Sequence, residues 1–121
     1  MKYEDIINRA RKELTDFIAY ETKSIAYKLG IEPDEDGAYI LESDDFKEEI
    51  KIGIVVDNSY LDIDETTWEN RALSAIVVDE DEVWFSTDED LNEEIGVRDL
   101  STDELGEIAR VLEETYFDIM K

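Results

Sequence analysis

The stretch from Arg71 to Thr87 constrains this chain more than any other. It reads Arg71-Ala72-Leu73-Ser74-Ala75-Ile76-Val77-Val78, then Asp79-Glu80-Asp81-Glu82, then Val83-Trp84-Phe85-Ser86-Thr87. Two β-branched and aromatic runs around a short acidic turn predict a β-hairpin. A two-residue or a four-residue loop gives the same register. Val78 then faces Val83 and Ile76 faces Phe85. On the other side of the ribbon Val77 faces Trp84.

A two-stranded ribbon needs further layers to be stable, and the flanking sequence supplies them. Tyr3, Ile7, Ala10, Leu14 and Phe17 recur at four-then-three spacing and form one apolar stripe of a helix that drifts onto Ile18, Ile25 and Leu29. Gly30 fits the left-handed residue after a helix end, with Ile31 beyond it and Pro33 barring continuation. Ile25, Tyr27, Leu29 and Ile31 also alternate as a strand would. One long helix is the preferred reading. Glu32 to Gly37 is a turn, Ala38 to Glu42 a short strand, and Ser43-Asp44-Asp45 a break. From Glu49 a second strand puts Ile50, Ile52, Ile54 and Val56 on one face. Asp57 to Asn70 is acidic yet holds Tyr60, Leu61, Ile63 and Trp68, with room for a short strand at Tyr60–Ile63. Asp88 to Val97 has too little periodicity to assign. The last helix starts at a capping box, Ser101 with Glu104, flanked by Leu100 and Leu105 at staple positions. Its buried stripe is Leu105, Ile108, Leu112, Tyr116 and Ile119. Gly106 costs about 1 kcal/mol against alanine there, so caps and stripe carry the helix.

The expected fold is α+β, one domain over residues 1–121. It is a two-layer sandwich, an antiparallel three- to five-stranded sheet with the N-terminal and C-terminal helices packed on one face. The helices would cover Ile50, Ile52, Ile54, Ile76, Val78, Val83 and Phe85. Val55, Leu73, Val77 and Trp84 would lie on the opposite face, covered by the Asp57–Asn70 loop or open to a partner.

Charge narrows the function. Twelve bases against 35 acids give a net charge of −23. This disfavours direct contact with nucleic acid phosphates or an anionic membrane and favours basic partners, cations or plain solubility. Residues 61–121 carry 20 acids and 4 bases, the more acidic half. Histidine and cysteine are absent, which removes the usual Ser-His-Asp and Cys-His arrangements and His/Cys zinc sites. A glycine-rich phosphate loop is absent too. A carboxylate pair of the glycosidase type is uninformative where acids are everywhere. No enzyme activity and no cofactor are expected. The lack of cysteine suits a reducing compartment, no apolar run reaches membrane-spanning length, and Met1-Lys2-Tyr3-Glu4-Asp5 does not begin a signal peptide. A cytoplasmic location is expected.

Three candidate sites remain. Glu32-x-Asp34-x-Asp36-Gly37 imitates the opening of an EF-hand loop, but Pro33 is second and Ser43 stands where a bidentate Glu is needed. An acidic turn is the better reading, with no metal ligands assigned. The acid runs Asp79, Glu80, Asp81, Glu82 and Asp88, Glu89, Asp90 are the sharpest hint. On a rigid domain they could offer a basic cleft a field comparable to that of duplex DNA, which carries one charge per roughly 1.7 Å of axis. The plain alternative is a solvated acidic face that confers solubility. Third, Trp84, Val77, Leu73 and Trp68 could form an apolar contact patch, or Trp68 could simply close over Trp84. The expected function is therefore a non-enzymatic acidic module that binds a basic protein, charge mimicry of nucleic acid being one form of it. The alternative is a structural domain that forms a homodimer and whose acidity serves solubility only.

Overall fold

A computed structural model describes residues 3–57, 66–80, 82–88, 90, 91 and 94–120, without the side chains of 3, 4, 54–57 and 66–68. The expected strand at Tyr60–Ile63 lies outside these residues. So do Asp81, Glu89 and the side chain of Trp68.

The chain is α+β. Helix α1 spans Tyr3–Leu29 and helix α2 spans Thr102–Ile119. Between them run β1 (Tyr39–Glu42), β2 (Lys51–Asp57), β3 (Thr66–Ala72), β4 (Ala75–Asp79), β5 (Glu82–Ser86) and β6 (Ile95–Gly96). An antiparallel sheet has the order β1-β4-β5-β6, and β2 pairs with β3 in a separate two-stranded ribbon. The helices pack against this assembly, with α1 along β1, β4 and β5 and α2 alongside α1.

One long helix at the N-terminus is the observed arrangement, and its end is a Schellman motif. Gly30 takes φ +74, its amide donates to the Tyr27 carbonyl at 3.2 Å, and the Ile31 amide donates to the Ala26 carbonyl at 2.8 Å. The central hairpin has the register read from its sequence: Val78 opposite Val83, Val77 opposite Trp84, Ile76 opposite Phe85. Asp79 pairs with Glu82, so two residues connect the strands, and Glu80 turns the chain at φ 54.

The division into two sheets has a local cause. Glu42 pairs with Ala75, and the Ser43 amide donates to the Ser74 carbonyl at 2.8 Å. One step back along that strand, the Leu73 amide donates to the Ile50 carbonyl at 2.7 Å. Residues 44–49 are therefore looped out opposite the single peptide link Leu73–Ser74. The Ser74 amide meanwhile donates to the Ser86 carbonyl at 2.8 Å, on the β5 side. The extra residues shift the ladder and end the first sheet, as a large bulge does. They are anchored on α2. Phe46 enters the core, the Lys47 amide donates to Thr115 Oγ1 at 3.0 Å, and Glu48 pairs with Arg110 at 2.8 Å.

This break changes the phase of alternation. Ile76 and Val78 face the helices, and so does Leu73, three residues before Ile76. A regular strand would have turned Leu73 outward. Leu73 instead lies beside Ile50 and Ile52 in one core cluster that includes Ile18, Ile25, Leu41, Phe85 and the α2 stripe Leu105, Ile108 and Leu112. Residues Asp88 to Val97 hold a turn at Leu91 (φ 59), the two-residue β6, and a 3-10 turn from Val97 to Asp99.

Candidate functional site

The described acids of the two runs stand on hydrogen-bonded backbone. At the hairpin tip, Asp79 and Glu82 close the β4–β5 ladder, and the exposed Lys23 Nζ on α1 donates to the Glu80 carbonyl at 3.0 Å. Beyond β5, Ser86 Oγ accepts from the Asp88 amide at 3.1 Å and donates to the Asp88 carbonyl at 3.0 Å. Asp88 Oδ1 accepts from the Asp90 amide at 3.1 Å, and the Leu91 amide donates to the Asp88 carbonyl at 3.0 Å. Asp90 then shares a shallow hollow with Glu42, Asp44, Ser43 and Ser74.

The two runs do not merge into one patch. They occupy opposite ends of β5, with Asp88 six positions after Glu82. At about 3.4 Å per residue in an extended chain, the two acidic poles stand up to about 20 Å apart.

The described part of the apolar patch is split: Val77 and Trp84 face each other across β4 and β5, whereas Leu73 stands apart. Leu73 is 1% exposed and belongs to the core cluster, which corrects its expected place on the sheet face opposite the helices. The phase change at Leu73–Ser74 is the reason. Val77 is 2% exposed, and Trp84 is half-buried. Glu82, Glu94, Val97, Arg98 and Asp99 line a hollow next to Trp84. These residues therefore do not make an open apolar surface. Among the described residues, the exposed aromatic side chains stand elsewhere, at Tyr20 and Tyr27 on α1 and Phe117 on α2. Their sequence signal is the seven-residue spacing of Tyr20 and Tyr27, two helical turns on one face, and the core stripe of the same helix obscured it.

In the EF-hand-like loop Glu32, Asp34 and Asp36 stay exposed, and the Asp34 carboxylate is engaged by its own backbone. Asp34 Oδ1 accepts from the amides of Asp36 and Ala38, both at 2.9 Å, while Gly37 takes φ 85. Its carboxylate closes an Asx turn. Among the described residues no three Asp, Glu, His or Cys side chains converge as a metal site.

Several bases are committed within the fold. Arg11 donates to the carbonyls of Leu100 (2.7 Å) and Val97 (3.3 Å), which ties α1 to the approach of α2. Arg110 is held by Glu48, Glu107 and Glu114, and Lys47 pairs with Asp118 at 3.4 Å. The hydrogen bond from Arg110 holds the Glu107 carboxyl below its usual range. Glu21 is the converse case. It is buried on α1 with Oε2 unpartnered among the described residues. Burial pushes its carboxyl up, and the charge of Glu113 across the helix pair adds to the rise.

No protein-family model, curated protein or solved structure matches this chain. Its chemistry is read from its own surfaces.

Proposed function

We propose that this chain is a non-enzymatic acidic module that binds a basic protein surface through the two carboxylate poles of the β4–β5 hairpin. The observation that supports this reading is the ordering of those poles. Asp79 and Glu82 are held by backbone pairing, and Asp88 and Asp90 by hydrogen bonds with Ser86 and Asp88, so the backbone under these charges does not carry the entropy loss of a floppy tail. Two anionic centres up to about 20 Å apart suit a cleft shaped for a polyanion, where duplex DNA would set up to about twelve phosphates over the same length. The reading includes charge mimicry of nucleic acid. Its partners are proteins, not nucleic acid or membrane, and its place of action is the cytoplasm.

The test separates the poles. Changing Asp79, Glu80, Asp81 and Glu82 to their amides, and in a second variant Asp88, Glu89 and Asp90, should each weaken capture of the basic partner while leaving the melting temperature near that of the wild type. Unchanged capture by both variants would remove the poles from the binding surface.

A further inference from the structure

Helix α1 carries five acids and five bases, so the charge of −23 resides entirely outside it. Its outer side holds Tyr20, Lys23, Ser24, Tyr27 and Lys28 at the i, i+3, i+4, i+7, i+8 spacing of a single stripe. With Tyr39 of β1 and Tyr116 of α2 these residues line a shallow groove of about 390 Å³. In a chain with 35 acids, four tyrosines and two lysines line this groove without a carboxylate. Phe117 adjoins it, ring edge to Tyr116 at a centroid distance of 6.3 Å, and Met120 follows one turn later. Around them α2 carries Glu113, Glu114 and Asp118.

We propose that this basic, aromatic groove and the acidic, apolar end of α2 beside it form a two-fold interface with a second copy of the chain. A two-fold axis requires a self-complementary surface in which each copy supplies both halves of the contact. That condition is met here: Phe117 and Met120 of one copy enter the tyrosine groove of the other, with Glu113 of α2 set against Lys28, while Glu114 and Asp118 keep their pairs with Arg110 and Lys47 and Lys23 keeps its bond to the Glu80 carbonyl. Exposure supports the assignment. Tyr27 is 79% exposed, Tyr20 69% and Phe117 60%. Aromatic side chains of roughly 150–250 Å² each, exposed to this degree, provide about 300–500 Å² per copy toward the ~800 Å² of a standard interface. Met120, Leu29 and the groove walls add to it. At physiological salt the screening length of about 8 Å damps repulsion between the two acidic bodies and leaves the contact pairs. The interface is independent of the role proposed for the acidic poles.

Sedimentation velocity from low micromolar to near millimolar concentration tests it. The wild type should shift from monomer to dimer. Tyr27→Ser and Phe117→Ser should each weaken the dimer about tenfold or more, and Lys28→Glu should weaken it where Lys28→Arg does not. All three positions are exposed, so circular dichroism should be unchanged. Trp84→Ser and the amide variant of the hairpin tip should leave the dimer intact. The chain has no cysteine of its own, so mixing Tyr27→Cys with Phe117→Cys should give a disulfide between the two variants under oxidation. A wild type that is monomeric throughout overturns the proposal. So does a dimer that Tyr27→Ser and Phe117→Ser leave untouched.

Discussion

The Gly53 backbone amide donates to Glu104 Oε2 at 2.6 Å, which joins β2 to the first turn of α2. The other oxygen, Oε1, accepts from the Ser101 amide at 2.9 Å, while Ser101 Oγ accepts from the Glu104 amide at 3.2 Å. One carboxylate therefore serves both a helix cap and a long-range contact.

Glu104→Ala should consequently cost more than an ordinary cap. Loss of the cap is worth about 1 kcal/mol, and leaving the part-buried Gly53 N–H without its acceptor adds roughly 1–3 kcal/mol. Ser101→Ala should cost only about 1 kcal/mol. Urea denaturation of both variants measures the gap, and equal losses would mean that the Gly53 bond contributes nothing.

Glu21→Gln should stabilise the protein at neutral pH. The folded carboxyl binds its proton more tightly than the unfolded one, whose ordinary value is 4.5. Its charge therefore opposes folding in full above the raised folded value, and the penalty disappears as pH falls below 4.5. The amide should melt higher than the wild type at pH 7, and the two should converge in acid. Thermal melts at pH 7 and in mild acid read both effects. A less stable variant at neutral pH would mean that the charge is compensated.

Leu73→Ala should behave as a core truncation, with a loss of about 2–5 kcal/mol. Trp84→Ser, at a half-buried site, should cost less. Chemical denaturation ranks the two. The reverse order would place Leu73 on the outer face after all.

These positions also mark how far the sequence is legible. The hairpin register, the Schellman end at Gly30 and the Ser101–Glu104 capping box depend on residues within a few positions of one another, and their turn and cap chemistry is written locally. Alternation carried across Ser74 puts Leu73 on the face opposite the helices, where the structure does not have it. The interruption comes from residues 44–49, which are distant in sequence and adjacent only once β1 and β4 have paired. The Gly53–Glu104 bond spans 51 positions, and no local pattern announces it. For the candidate site, the acid runs were evident from composition, whereas their separation to opposite ends of β5 depends on strand length. The Tyr20–Tyr27 stripe was present in the sequence but shares its helix with the core stripe. Only the packing of α1 shows which of the two stays exposed.

The most direct test of the acidic-module account is affinity capture from a cell lysate, washed over a salt series and competed with duplex DNA. The account predicts that nucleic-acid-binding proteins are retained at low salt, lost steeply at moderate salt and displaced by the duplex. Recovery of no basic protein, or of partners that neither salt nor duplex DNA displaces, would contradict it.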